Sequence, residues 1–240
     1  MIRPLTIARR AQPVVAWFAA LAPLDGEAIT ALEDATDRAR AIRARRELWA
    51  EGDRITGPQL VVSGWGARSR VLDDGRRQIL SFLLPGDLIG MGSHAQPLST
   101  SAVIAMTDLG VCTPPAVGSS ERLDAAYAIS QARQEAYLLA QITRLGRLNA
   151  YERIADLLLE FVERLTPIGL ATNGSFEFPL TQEMLADALG LTPVHINRTL
   201  QSMRRDGDLN WKSRHLTLND PQALAGKIGR APVRVSAAAF

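Results

Sequence analysis

The sequence predicts an α+β chain: a helical N-terminus, a β-rich domain, a long helix, and a C-terminal helix-turn-helix with a β-hairpin wing. Three observations predict it. Short apolar runs separated by turn signals fill Arg43–Thr113, Glu121–Asn149 runs without proline, and Leu180–Leu218 alternates helix, turn, helix and hairpin patterns. A chain of 240 residues is long enough for two small cores.

Taken in order, Pro13–Asp37 reads as one or two short helices, with Trp17, Phe18, Leu21, Leu24, Ile29 and Leu32 apolar. The runs Leu48–Trp49, Gln59–Val62, Gln78–Leu84 and Ala102–Met106 follow. They are separated by turn signals at Glu51–Asp53, Gly57–Pro58, Asp73–Gly75 and Pro85–Asp87. Strands at roughly ten-residue spacing predict a sandwich or barrel. Pro114–Pro115 end it. In Glu121–Asn149, Leu123, Tyr127, Ser130, Gln134, Leu138, Gln141 and Leu145 recur at steps of three and four. That spacing predicts a helix that pairs with its twin in a homodimer, the alternative being a surface helix packed on its own domain. Tyr151–Leu165 reads as a further helix, Phe176–Phe178 as a short strand, and Asp220–Pro221 as the start of one more short helix. The tail Ala237–Phe240 is expected to be poorly ordered.

Leu180–Leu218 carries the chemistry. Thr181 and Thr192 are N-caps, Pro193 suits a first helical position, and Gly190 suits the left-handed stop between the helices. Ile196, Leu200 and Met203 form the inner stripe of the second helix, leaving Val194, His195, Asn197, Arg198 and Gln201 on its outward side. Arg204 and Arg205 close that helix, and Lys212, Arg214 and His215 stud the hairpin. From Thr192 to His215 basic residues outnumber acidic ones, so positive charge gathers where a polyanion would lie. The bland alternative is an ordinary helical hairpin in an α-rich domain.

Net charge is only +2, with 47% hydrophobic and 22% charged residues, so nucleic-acid affinity has to come from this local patch. The single cysteine, Cys112, excludes an internal disulfide and a multi-cysteine cluster. No apolar run of about 18 residues appears, and Met1–Arg10 lacks the apolar stretch of a signal peptide. A cytoplasmic location with no membrane association is expected.

DGRRQILSFLLPGDLIG (Asp74–Gly90), NAYERIADLL (Asn149–Leu158) and LTQEMLADALGLTPVHINRTLQ (Leu180–Gln201) occur in the order and spacing of one family. From about Ala16 to Leu218 the chain resembles the Crp/Fnr family of bacterial transcription regulators. The resemblance implies a β-roll over 12–118 (a jelly roll like that of cyclic-nucleotide-binding domains), a dimerisation helix over 119–148 and a winged helix-turn-helix over 149–235. It also implies a homodimer on a near-palindromic operator, with RNA polymerase as partner if the protein activates. Where family members commonly read guanine with polar and charged residues, this chain places Pro193, Val194 and Arg198. Arg198 is then the reader of guanine O6/N7, and Val194 meets a thymine methyl. Thr181 and Gln182 are expected at phosphates. Thr192, His195, Asn197, Gln201, Arg204, Lys212 and Arg214 complete the expected DNA contacts.

The same resemblance places an effector pocket at Leu88, Gly90, Met91, Thr100 and Ser101. Members that bind cyclic AMP use a Glu where this chain has Met91, and an Arg–Ser pair where it has Thr100–Ser101. A cyclic phosphate without its cationic partner loses its strongest contact, so no response to cyclic AMP is expected. A four-cysteine cluster is excluded by Cys112 standing alone. A haem- or redox-dependent sensor remains an alternative, with His94, Met91 or Cys112 as ligand, although Cys112 in a strand reads first as a small core residue. Rival classes are an enzyme and a partner-binding scaffold without DNA specificity. No phosphate-cradling glycine loop, metal-ligand spacing or nucleophile–base arrangement supports an enzyme, and the wing and its cations speak against a scaffold.

Overall fold

The computed structural model describes residues 8–92 and 95–236; His94 and the tail Ala237–Phe240 lie outside them. The chain forms two compact units. The first takes in the chain up to Arg68 together with Phe82–Glu135. The second takes in Ser69–Ser81 and Ala136–Val233.

Along the chain, α1 (Ala8–Ala19) and α2 (Gly26–Asp37) precede the strands β1 (Arg40–Ile42), β2 (Glu47–Trp49), β3 (Gln59–Ser63), β4 (Gly66–Val71), β5 (Arg77–Leu83), β6 (Leu88–Ile89), β7 (Ala102–Ala105) and β8 (Leu109–Cys112), all in the first unit except the ends of β4 and β5 within Ser69–Ser81. Asp25 caps α2, its Oδ1 accepting from the Ala28 N–H at 2.8 Å. The strands make two four-stranded sheets, ordered β1-β8-β3-β6 and β2-β7-β4-β5. Val61, Ile89, Leu109 and Val111 from the first sheet meet Trp49, Leu83, Val103 and Ala105 from the second in one buried cluster. The expected sandwich is therefore present. Its core is the alternate residues of facing strands.

Gly86 makes the Pro85–Asp87 turn at φ 98, and a Cβ there would lie 2.5 Å from two ring carbons of Trp17. Replacing Gly86 with alanine therefore combines backbone strain with overpacking, and is expected to destabilise by about 2–4 kcal/mol in urea unfolding. Gly75 also has positive φ, 84, but nothing within 4 Å of its missing Cβ. Gly75→Ala should show the strain alone, about 1 kcal/mol. Equal losses in the two variants would mean that Trp17 yields freely.

The long helix α3 (Glu121–Arg147) forms where expected, but the stripe assigned to dimer pairing needs correcting. Leu123, Tyr127, Ser130 and Gln141 are buried by their own chain, and Gln134, Leu138 and Leu145 are half-buried. Tyr127 packs edge-on against Phe18 of α1, at 5.3 Å between ring centroids. A second line on α3 is left outward instead, through Ala125, Ala128, Glu135, Leu139, Ile142 and Gly146, with Ala132 half-buried among them. These seven also recur at steps of three and four. Leu139 is 57% and Ile142 67% exposed.

In the second unit, α4 (Ala150–Leu165) begins with a reciprocal cap. Asn149 accepts from the Glu152 N–H, and Glu152 accepts from the Asn149 N–H. Then come β9 (Ala171–Thr172), β10 (Ser175–Glu177), α5 (Gln182–Leu189), α6 (Pro193–Arg205), β11 (Leu209–Lys212), β12 (His215–Leu218) and α7 (Pro221–Lys227). Phe161, Phe176, Phe178 and Trp211 contact one another in series, at centroid distances of 6.4, 5.9 and 5.1 Å, and anchor α4 to the wing sheet.

A buried charge network fixes α3 to α4. Arg144 donates to Asp156 and Glu160, each at 2.7 Å, and to Gln141. Arg164 bonds Glu160 at 3.1 Å, and Arg230 reaches Asp156 at 2.9 Å and Glu163 at 2.7 Å. Three guanidinium groups thus face three carboxylates, which meets the requirement that buried charge be paired. The hairpin Ser69–Ser81 joins this unit through Arg77. Its Nε and a terminal N–H both bond Asp187 Oδ2, at 2.8 and 2.6 Å. The Ala188 carbonyl at the end of α5 accepts from Gln78 at 3.3 Å and from Gln141 at 2.6 Å.

Candidate nucleic-acid interface

The two helices that present the site are set by local chemistry. Thr181 Oγ1 accepts from the Met184 N–H and Thr192 Oγ1 from the His195 N–H, both at 3.2 Å. Between them Gly190 adopts φ 62, ψ 37 at the end of α5. Leu185, Ala188 and Leu189 of α5 and Ile196, Leu200 and Met203 of α6 are buried, so one face of each helix makes the core. The other face of α6 is left outward.

That outward face carries the residues expected to meet DNA. Val194 is 78% exposed, unusual for a large apolar residue on a helix and suited to a thymine methyl. Arg198 is exposed and has no side-chain partner among the described residues. Pro193, Thr192 and Gln201 are exposed, while His195, Asn197 and Gln182 are half-buried. Asn197 Nδ2 donates to Gln182 Oε1 at 3.0 Å, and Gln201 Nε2 donates to Asn197 Oδ1 at 2.8 Å.

The wing forms in the expected place. β11 and β12 pair antiparallel from Leu209–Leu218 to Lys212–His215, with Ser213 turning at φ 54. Its cations are not equivalent. Lys212 is exposed and without a partner among the described residues. Arg214 forms an exposed ion pair with Glu177 at 3.1 Å, and Arg204 donates to the Trp211 carbonyl at 3.0 Å, bracing the end of α6 against the wing. An exposed pair of this kind is weak and yields readily to a phosphate.

Beside α6 lies a cleft of about 550 Å³, bounded by Asn149 and Tyr151 at the start of α4 and by His195, Arg198, Ser202 and Arg205 of α6. Ser202, Arg205 and Tyr151 were outside the DNA-contact set expected from the sequence. The signal for Arg205 was present, since it follows Arg204 at the helix end, but its approach to α4 is a tertiary fact. Tyr151 is held by its hydroxyl bond to Asp208, which also pairs with Lys227 at 2.9 Å.

The expected effector residues fall in the first unit. Leu88 and Ser101 are buried, Gly90 and Met91 are half-buried, and Thr100 is exposed. Gly90 takes φ 72, and a Cβ there would meet Trp49 and Ile55 at 2.9 Å each. Ser101 offers its carbonyl to Ser99 Oγ at 2.7 Å. Side chains of the chain itself thus crowd Gly90. Cys112 is buried in β8, and burial pushes its thiol up to about 11, against a smaller opposing pull from Arg38. The thiol stays protonated near neutral pH. Among the described residues no group of three or more His, Cys, Asp or Glu side chains is placed to hold a metal ion, and no helix is long and apolar enough to cross a membrane.

Residues 39–116 match the cyclic nucleotide-binding domain family, and residues 152–226 the Crp-like helix-turn-helix domain family. The transcriptional activator protein FnrL of Cereibacter sphaeroides is 30% identical over 221 residues, covering 88% of this chain and 88% of that protein. The nitrogen fixation regulation protein FixK of Bradyrhizobium diazoefficiens is 32% identical over 184 residues, covering 72% and 75%. The solved structure of FixK2 from Bradyrhizobium japonicum is similar with a TM-score of 0.68 at 29% identity, over 81% of this chain and 99% of that one. The two-sheet domain, the long α3 and the capped helix pair agree with these likenesses along most of the chain, which belongs to the Crp/Fnr family of DNA-binding transcription regulators.

Proposed function

We infer that the protein acts as a cytoplasmic homodimer on a near-palindromic operator with half-sites about one helical turn apart, and that cyclic AMP is not its effector. The observation that carries the DNA contact is the outward edge of α6, where Arg198 stands without a side-chain partner among the described residues, beside an exposed Val194. Arg198 donates two hydrogen bonds to guanine, Val194 covers a thymine methyl, and Lys212 and Arg205 hold the backbone. The homodimer is supported by the outward stripe on α3, and its contact with RNA polymerase by the family alone. Against cyclic AMP stand Met91 where a carboxylate would bond the ribose, Thr100 where a guanidinium would meet the phosphate, and Trp49 against Gly90.

Selection of bound fragments from random DNA, followed by fluorescence anisotropy, tests this. A two-fold-symmetric motif is expected, with affinity falling about 10³–10⁵-fold between 50 and 200 mM salt if 6–10 phosphates are neutralised. Adding cyclic AMP should leave the affinity unchanged. Arg198→Ala is expected to cost about 1–3 kcal/mol and to relax preference at one base pair of each half-site. Binding without any sequence preference, or tightened by micromolar cyclic AMP, would overturn the proposal.

A further inference from the structure

Among the polar residues on α6, Asn197 is the one whose amide is engaged at both ends. Its Nδ2 donates to Gln182 Oε1 at 3.0 Å, across the gap to the first turn of α5, and its Oδ1 accepts from Gln201 Nε2 at 2.8 Å, one turn further along α6. Three amides are thus linked in series over the outward side of the helix pair. Val194 and Arg198 lie on the same ridge, since positions three and four apart are neighbours on a helix surface.

The linkage divides the labour among the three. A glutamine side chain has several rotors and loses much freedom when it is fixed against a base. A bond that already fixes it in the free protein lowers that loss on binding. Gln201 is exposed, and its bond to Asn197 uses one amide hydrogen. Its Oε1 and second hydrogen remain, and a carboxamide offering one acceptor and one donor side by side matches N6 and N7 of adenine. Gln182 accepts from Asn197 and keeps both hydrogens of its own amide. At the first turn of α5 these point to chemistry suited to a backbone phosphate.

We propose that Asn197 is a positioning residue: it orients Gln201 to read an adenine in the half-site and Gln182 to meet a phosphate, without reading a base itself. The proposal rests on the DNA-binding mode inferred above.

Binding-site selection with the full-length protein and the variants Asn197→Ala, Gln201→Ala and the double variant tests it. A wild-type motif containing an adenine is expected. Gln201→Ala should abolish the preference for it. Asn197→Ala should blur the preference at that same base pair and weaken binding about three- to tenfold, and the double variant should be no worse there than Gln201→Ala alone. Gln182→Ala should leave the motif intact and weaken binding to selected and random DNA alike, with the log–log salt slope unchanged because a neutral amide displaces no counterion. If Asn197→Ala changes a base pair that Gln201→Ala does not, Asn197 reads a base directly and the proposal fails. A wild-type protein that selects no motif would instead sink the underlying DNA-binding mode.

Discussion

Replacing Arg144 with methionine is expected to lower the stability of the second unit by about 3–5 kcal/mol, the largest single loss foreseen for a residue that touches no ligand. Arg144 is 2% exposed and serves two carboxylates and an amide at once. Its removal leaves the half-buried Asp156 and the buried Glu160 with Arg230 and Arg164 as their remaining cations. The loss arises mainly from uncompensated negative charge rather than from missing contacts. Two companion variants separate these causes. Arg144→Lys keeps the charge but cannot fork among three acceptors, so it should fall between wild type and Arg144→Met. Adding Asp156→Asn and Glu160→Gln to Arg144→Met should recover part of the loss, because the neutral amides need no cation. Urea unfolding followed by far-ultraviolet circular dichroism measures all three. A loss under about 1 kcal/mol for Arg144→Met would show that water reaches these carboxylates.

How far the sequence foretold the molecule depends on the range of the forces involved. Caps and stops are local, and Thr181, Gly190 and Thr192 therefore took the roles that their residue types suggest. Four strands escaped detection for an equally local reason. β6 and β9 are two residues long, β1 is three, and β4 holds Arg68, Ser69 and Arg70, so none offers a run of apolar alternation. Charge pairing was invisible because it joins distant positions. Arg77 meets Asp187, and Arg230 meets Asp156, only once the chain has folded. The grouping of Ser69–Ser81 with the C-terminal unit is likewise one that a linear division of the chain does not express. Within the site, Val194 and Arg198 were legible because an outward position on an amphipathic helix follows from period alone. That Arg204 braces the wing, Arg214 pairs with Glu177, and Asn197 is held by two glutamines depends on rotamers and neighbours that period does not encode.

The helix α3 gives the sharpest instance of this limit and the second large prediction. Two stripes on it share the three–four rhythm, and the rhythm alone does not say which is covered by the chain itself. The stripe through Leu123, Tyr127 and Gln141 is so covered, which leaves Leu139 and Ile142 as a large apolar pair facing outward, in line with Ala125, Ala128 and Gly146. Exposed apolar residues in register along a helix mark an association surface. In the homodimer inferred above, Leu139→Glu with Ile142→Glu sets like charges against each other across the twofold axis. The mass in sedimentation is expected to drop from about 52 kDa, twice the chain's 26.1 kDa, to that of one chain. Operator affinity should fall about 10²–10⁴-fold, because each half-site is then bound without the high effective concentration supplied by the partner. Gln141→Ala, on the covered stripe, removes a bond to the Ala188 carbonyl and should leave the sedimenting mass unaltered. A double glutamate variant that still sediments at twice the chain mass would place the dimer contact elsewhere. Loss of association in Gln141→Ala alone would return it to the covered stripe.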